Sequence, residues 1–198
     1  MSHFNAFKVS AIEEFDKFMN QLNESDFDAA VKLIIDAETQ GNRLHITGIG
    51  KPGHVAAYGA SLLSSTGTPT YFLHGTEAVH GSCGQLIAGD VVICISNSGE
   101  TSELKSTAIA IRNNGCKIIS ITGNANSWLA KFGDVHILAH VDAEGGPLNR
   151  APRNSITAET FIIQALSTIL QGKKELTPQQ YVLRHPGGAL GQLRENEK

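Results

Sequence analysis

Five short runs of apolar and β-branched residues between positions 43 and 141 most constrain what this chain can fold into. They are "RLHITGIG" (43–50), "TPTYFLHG" (68–75), "DVVICIS" (90–96), "KIISITG" (117–123) and "DVHILAHV" (134–141). Such runs are typical of strands buried on both faces of a parallel sheet. The segments 54–65, 102–114 and 127–132 between them have helical patterns or lengths. The alternation predicts an α/β fold, a doubly wound five-stranded parallel sheet flanked by helices in three layers.

Helices are also predicted on either side of the sheet. Apolar residues recur at helical spacing in residues 8–40, first at Ile12, Phe15, Met19 and Leu22. We expect two helices there, the second capped by Ser25 or Asp26, and further helices at 157–170 and 177–183. The chain then divides into N-terminal helices (1–40), the main domain (41–193) and a charged tail (194–198) that we expect to fray.

Composition excludes several classes of partner. The 16 basic and 19 acidic residues give a net charge of -3, so no general electrostatic attraction to nucleic acid or to an anionic membrane is expected. Cys83, Cys94 and Cys116 form no CxxC pattern, and the eight histidines show no HxH or HExxH spacing, so we expect no metal site. The sequence shows no signal peptide or membrane-spanning run, which predicts a cytoplasmic protein.

The stretch "CISNSGETSE" (94–103) crowds hydroxyl side chains after the third predicted strand. If the strand ends at Ser96 and a helix begins near Ser102, the hydroxyls of Ser96, Ser98 and Thr101 surround a helix N-terminus. Backbone N–H groups and the helix dipole make such a place a cradle for phosphate. The alternative is an ordinary helix cap, in which serine and threonine are common without any ligand.

The loop "TGIGKPGH" (47–54) brings a lysine among glycines after the first strand. Gly48, Gly50 and Gly53 match the spacing G-x-G-x-x-G, but the second strand ends in "LHG" without the acidic residue that an NAD site requires. The phosphate-binding motif G-x-x-x-x-G-K-[ST] is also missing. Lys51 is therefore a candidate to meet a ligand directly, with a solvated surface lysine as the alternative.

Together these loops resemble the sugar isomerase (SIS) family, and within it the SIS module of bacterial arabinose-5-phosphate isomerases. The resemblance spans about residues 40–193. It rests on "GIGKPGH" (48–54), "STGTP" (65–69), "EAVHG" (77–81), "ISNSGETSE" (95–103), "ITGN" (121–124), "EGGPLNRAPRNSIT" (144–157) and "HPGGALG" (185–191).

The resemblance implies the flavodoxin-like SIS fold and a cofactor-free isomerase. Its substrates would be D-ribulose 5-phosphate and D-arabinose 5-phosphate, exchanged through an enediol to supply Kdo for lipopolysaccharide or capsule. The implied catalytic residues are Lys51, Glu103, Glu144 and His185, with His80 as a fifth, and the implied phosphate-binding residues are Ser65, Ser96, Ser98 and Thr101.

The resemblance also suggests how these residues divide the chemistry. Glu103 or Glu144 would transfer the proton between carbons, a histidine would open the sugar ring, and Lys51 would stabilise the oxyanion. Because the family's "HPGGALG" segment reaches a neighbouring subunit, a homotetramer with composite sites is implied.

Several positions depart from the family pattern. Pro52 stands where relatives usually have a serine that helps to hold phosphate, Ser82 replaces a common aspartate, and Arg153 lies in a stretch normally rich in serine and threonine. The sequence ends without the paired CBS domains of the common housekeeping enzyme, so we expect the SIS-only form. A non-catalytic sugar-phosphate sensor, and an isomerase of another pentose or hexulose phosphate, are the alternative functions.

Overall fold

The predicted strands form one parallel sheet in the computed structural model, which describes residues 1–197. The strands are β1 (Leu44–Gly48), β2 (Thr70–Phe72), β3 (Val91–Ile95), β4 (Lys117–Thr122) and β5 (Val135–Leu138). They lie in the order β2-β1-β3-β4-β5, and every neighbouring pair is parallel. This order is that of a doubly wound, flavodoxin-like sheet, so the predicted fold class is confirmed.

Seven α-helices connect and flank the strands within residues 1–197. They are α1 (His3–Gln21), α2 (Asp28–Thr39), α3 (Lys51–Ser65), α4 (Ser102–Asn113), α5 (Trp128–Phe132), α6 (Asn154–Lys173) and α7 (Pro178–Leu183). Short 3₁₀ turns lie at Glu24–Phe27, Glu77–His80, Ser82–Gln85, Ala189–Gly191 and Glu195–Glu197.

Three of the predicted helix starts are wrong. Helix α3 begins at Lys51 rather than at residue 54, because Pro52 fits a first helical turn, where its missing N–H costs no hydrogen bond. Helix α6 begins at Asn154 rather than at 157. Helix α2 begins at Asp28, after a 3₁₀ turn in which the Asp26 carboxylate accepts the N–H of Asn23 at 2.8 Å.

The sheet is covered on both faces by apolar side chains. One layer lies between the sheet and helices α1, α2, α3 and α6, and the other lies under α4 and α5. Every residue of β1 and β3 is buried, which explains their unbroken apolar runs. Helices α3 and α6 approach closely at Gly59, where an added Cβ would lie 2.9 Å from both Ile163 Cγ2 and Ile46 Cδ1.

The inward face of α1 differs from the predicted one. Glu14 and Phe18 are its buried residues, whereas Ile12 and Met19 are 61% and 38% exposed. The prediction followed apolar residues, and Glu14 takes the inward position because it has polar partners inside the fold.

Two observations concern the ends and the exterior of the chain. In the predicted charged tail the carbonyl of Glu197 accepts a hydrogen bond from the Gln179 side chain, while Lys198 lies outside the described residues. Within residues 1–197 no helix is both long enough and apolar enough to cross a membrane.

Candidate functional site

The candidate site lies where the carboxyl ends of β1 and β3 meet. These strands are neighbours, but the chain passes from β1 to β2 on one side before returning to β3 on the other. Ligands of open α/β sheets bind at such a switch point, because the two loops diverge and leave a crevice between them.

The loop from β3 to α4 forms the hydroxyl cluster that the sequence predicted. The buried Ser96 Oγ accepts the N–H of Gly99 at 3.1 Å and lies 3.2 Å from Thr101 Oγ1. Ser98 Oγ accepts the N–H of Glu100 at 3.2 Å. Thr101 is the N-cap residue of α4, but its side chain does not cap a backbone N–H of the helix. Its hydroxyl and the amino end of the α4 dipole can therefore both face an anion.

Gly99 and Glu100 fasten this loop to the neighbouring one. Gly99 has φ +65°, and an added Cβ would lie 2.1 Å from Ser127 Oγ, so only glycine fits. The Glu100 carboxylate accepts the N–H of Trp128 at 2.7 Å and pairs with Lys105. Lys105 is the main cause that lowers the pKa of Glu100. Sequence reasoning missed this link between the two loops, although Glu100 lies inside the stretch 94–103.

Lys51 is the first residue of α3 and is exposed at the same edge of the sheet. An open cavity of about 550 Å³ adjoins it, lined also by His54, Pro152 and Ile156. The cavity therefore brings the loop after β1 together with the segment that leads into α6. Pro52 supplies no N–H at this place, as the sequence indicated.

Glu103 and His80 also lie at the carboxyl edge. Glu103 is exposed in the first turn of α4, where its own N–H and the hydroxyl of Ser102 lower the pKa of its carboxyl. His80 is exposed at the end of the 3₁₀ turn after β2, and this turn packs on α4 through Ala78 and Leu104.

Glu144 follows β5 and holds the amino end of α6. Its carboxylate accepts the N–H groups of Arg153 at 2.5 Å and Ser155 at 3.2 Å. Asn149 Oδ1 accepts the N–H of Glu144 at 2.7 Å. Arg153 is the residue between Pro152, which lines the cavity beside Lys51, and the first residue of α6, so Glu144 stands next to that cavity.

Glu14 of α1 is a further residue that sequence reasoning missed. Its carboxylate accepts the N–H groups of Asp142 at 2.6 Å and Ala143 at 3.2 Å, directly before Glu144. The available signal was an acidic residue four positions before Phe18, on the apolar face of a helix.

The structure does not bring Ser65 into the site. Ser65 ends α3, about 21 Å along the helix from Lys51, and its hydroxyl donates to the carbonyl of Leu62 at 2.8 Å. Ser65 and Ser96 of one chain lie at opposite edges of the sheet, so the structure does not support the prediction that both hold the same phosphate within one chain.

His185 also lies away from the carboxyl edge of its own chain. It stacks on Tyr181 with ring centroids 4.1 Å apart, and its Nδ1 is 2.9 Å from the Tyr181 carbonyl oxygen. Its neighbour Arg184 packs against Gly67, which precedes β2, so this segment is at the amino edge of the sheet.

The thiols and possible metal ligands form no second reactive centre in the part of the chain that the structure describes. All three cysteines are buried, and burial raises the pKa of Cys94 to about 12. In residues 1–197 no group of three or more histidine, cysteine, aspartate or glutamate side chains converges as metal ligands do.

Comparison with known proteins relates this arrangement to one family. Residues 39–169 match the SIS domain. The chain is 39% identical over 180 residues to arabinose 5-phosphate isomerase KdsD of Francisella tularensis. The matched region covers 91% of this chain and 55% of that protein. It thus spans about half the length of the curated relatives that it matches.

Two solved structures are similar over nearly their whole length. An Escherichia coli CFT073 protein in complex with arabinose 5-phosphate has a TM-score of 0.86 and 33% identity, covering 92% of this chain and 95% of that one. A Bacteroides fragilis protein, described as a candidate phosphosugar isomerase involved in capsule formation, has a TM-score of 0.83 and 34% identity. The match covers 94% of this chain and 99% of that one. With its switch-point crevice and hydroxyl cradle, the chain belongs to the SIS domain family.

Proposed function

We propose that this chain is an aldose-ketose isomerase that interconverts D-ribulose 5-phosphate and D-arabinose 5-phosphate. The observation that carries the proposal is that Lys51 and the Ser96–Thr101 hydroxyl loop follow the carboxyl ends of the neighbouring strands β1 and β3, at the switch point of the sheet. It is supported by the arabinose 5-phosphate complex of a protein with the same fold and 33% identity, and by the isomerase relatives at 36–40% identity. From these relatives we further propose that the D-arabinose 5-phosphate is made in the cytoplasm and used for Kdo synthesis.

Phosphate binding falls to the loop between β3 and α4. Hydroxyls of Ser96, Ser98 and Thr101 and the amino end of α4 bind the dianion, because the dipole and N–H groups supply positive potential without a basic side chain. The cradle anchors one end of the sugar and directs the other toward Lys51 and Glu144.

The proton transfer between carbons requires a carboxylate, and we assign it to Glu144 or Glu103. Removal of the proton from C2 of the aldose forms an enediol, and its return at C1 gives the ketose. Lys51 stabilises the oxyanion that develops between these steps, and His80 or His185 assists ring opening. The reaction needs no redox cofactor, since the electrons stay within the sugar.

The position of His185 supports a composite site in a homotetramer. A histidine at the amino edge of its own sheet can take part only if the "HPGGALG" segment of one subunit meets the carboxyl edge of another. The exposed apolar residues Phe4, Ile12 and Tyr58, which are 71%, 61% and 43% exposed, supply surface that association would cover.

The first experiment is NMR of EDTA-treated protein with D-arabinose 5-phosphate in deuterated water. We expect D-ribulose 5-phosphate to form, with deuterium at C1 of the ketose and, after return, at C2 of the aldose. Glu144→Gln keeps the size and the hydrogen-bond acceptor but removes the base, so we expect a loss of at least about a hundredfold in kcat. Glu13→Gln, an exposed change on α1, is the matched control.

Each outcome separates this function from its alternatives. Binding of D-arabinose 5-phosphate without conversion would favour the alternative function, a non-catalytic sugar-phosphate sensor. Conversion of another pentose or hexulose phosphate at a higher kcat/KM would change the substrate but keep the reaction class.

A further inference from the structure

Glu159 is a buried carboxyl group that the proposed chemistry does not use. It lies on α6 with 0% of its surface exposed, and neither carboxyl oxygen has a hydrogen-bond partner among residues 1–197. Ser155, one helical turn earlier on the same face, is equally buried, and its hydroxyl also has no described partner. Since an ionised carboxylate without partners is very costly to bury, Glu159 must be accounted for.

Ser155 connects Glu159 to the candidate site. The backbone N–H of Ser155 donates to Glu144, while its side chain points into the same interior as Glu159. The two carboxyl groups therefore occupy successive levels of α6, with Glu144 outside at the helix end and Glu159 inside, about one turn below. Burial first, and then the negative charge of Glu144, raise the pKa of Glu159 to about 8.

Few other charges can act on Glu159. The strand side chains that face α6 in this core are apolar, as at Ile46 and Ile95. The ionisable groups near this end of α6 include Arg153 at its N-cap, Lys51 and His54 on α3, and Glu14, which pairs with Lys17, on α1. Glu38 on α2 pairs with Lys174 at the opposite end. Among the described charges, Glu144 is the one that adds to the shift.

We infer that Glu159 is a positioning residue for Glu144, a role that rests on the isomerase function proposed above. At neutral pH its carboxyl is uncharged and adds no negative charge beneath Glu144. When Glu159 ionises, a second negative charge appears beneath the site. It increases the proton affinity of Glu144 and weakens binding of the dianionic sugar phosphate, because like charges at this range repel across a low dielectric.

The first test measures protonation without using activity. The full chain, labelled with ¹³C at glutamate carboxyl groups, is titrated from pH 5 to 10 by NMR. We expect one resonance with a midpoint near pH 8 that disappears in Glu159→Gln. In Glu144→Gln the same resonance should titrate at lower pH, because one cause of its shift has been removed. This second comparison leaves Glu159 in place and so does not depend on the folding of Glu159→Gln.

The second test follows the Michaelis constant for D-arabinose 5-phosphate between pH 7 and 9. We expect KM to rise about five- to tenfold in the wild type and in the Glu13→Gln control, and to stay flat in Glu159→Gln. At pH 7, where Glu159 is already neutral, Glu159→Gln should keep kcat within about twofold of the wild type.

Two results would overturn the inference: no glutamate carboxyl that titrates above pH 7, or a Glu159→Gln enzyme whose KM keeps the wild-type pH dependence. If the wild type does not convert the sugar, the proposed function fails by itself. Calorimetric Kd values for D-arabinose 5-phosphate then replace KM in the same comparison, and a pH dependence of Kd that Glu159→Gln does not alter overturns the positioning role.

Discussion

Ser96 shows how one hydroxyl can serve both the fold and the ligand. It is 4% exposed, it accepts the N–H of Gly99, and it contacts Thr101 across the mouth of the loop. The carbonyl of Ser96 also accepts the Gly99 N–H, so loss of the hydroxyl does not leave that donor unpaired. The side chain therefore matters more for orienting Thr101 and for meeting phosphate than for stability.

We predict that Ser96→Ala weakens sugar-phosphate binding about tenfold, because a hydrogen bond to a charged group is lost, and lowers the free energy of unfolding by about 1 kcal/mol. Isothermal titration calorimetry with D-arabinose 5-phosphate and urea unfolding measure the two effects. Ser106→Ala is the control, since this exposed hydroxyl on α4 only donates to the Ser102 carbonyl. Equal affinity in Ser96→Ala and the wild type would contradict the cradle.

At the residue scale, local chemistry could be predicted from sequence and distant placement could not. Ser96, Ser98 and Thr101 follow a strand and precede a helix, so their grouping follows from local geometry. Ser65 was grouped with the phosphate-binding residues from the family motif alone, although the predicted helix 54–65 already ended at this residue, ahead of the second strand. Glu159 was missed because a buried acid in an apolar helix gives no pattern of its own.

Among the elements, α1 serves the loop that carries Glu144. Glu14 accepts two backbone N–H groups directly before Glu144, and the side chain of Asn154 reaches both Ser10 and the Ala143 carbonyl. Gly145 packs so closely on α1 that an added Cβ would lie 2.8 Å from Ser10 Oγ. Helix α1 thus holds the loop backbone directly before Glu144 and so fixes the position of this residue.

We predict that Glu14→Ala lowers the free energy of unfolding by about 2 kcal/mol and kcat by at least about tenfold, because two partly buried N–H groups lose their acceptor and Glu144 shifts. Urea unfolding and steady-state kinetics measure both. Glu13→Ala on the exposed face should change stability by less than about 0.5 kcal/mol. A Glu14→Ala variant that loses stability but keeps kcat would show that α1 does not position Glu144.

Which elements exist could be predicted better than which faces they bury. The central strands are the most recognisable, because an unbroken apolar run must be covered on both faces, and β1 and β3 are buried throughout. The inward face of α1 could not be predicted, because it depends on hydrogen bonds that the Glu14 carboxylate accepts from backbone N–H groups about 128 residues away in sequence.

At the scale of the whole molecule, the two halves of the proposed catalytic set lie at opposite edges of the sheet. Lys51, Glu103 and the cradle are at the carboxyl edge, whereas His185 is beside Tyr181 at the amino edge. A symmetric oligomer resolves this separation if each site takes His185 from another copy.

We predict that Lys51→Ala and His185→Ala, each inactive alone, regain about a quarter of wild-type activity when unfolded together in equal amounts and refolded, because random mixing gives about one site in four with both intact residues. Lys51→Ala mixed with Glu103→Gln should show no such rescue, since both residues belong to the same chain's half of the site. Absence of rescue in the first mixture, with tetramers formed, would rule out a composite site.

The bond between Glu14 and Asp142 also has a consequence for biosynthesis. The two residues are 128 positions apart, so α1 leaves the ribosome long before its partner backbone has been translated. Until then Phe15 and Phe18 of α1 have no core to enter, because Phe161, against which both rings pack, emerges later still. Helix α1 is thus synthesised before the elements on which it packs and is among the last to join the fold, and nascent chains that stall before residue 161 expose it to chaperones and to aggregation.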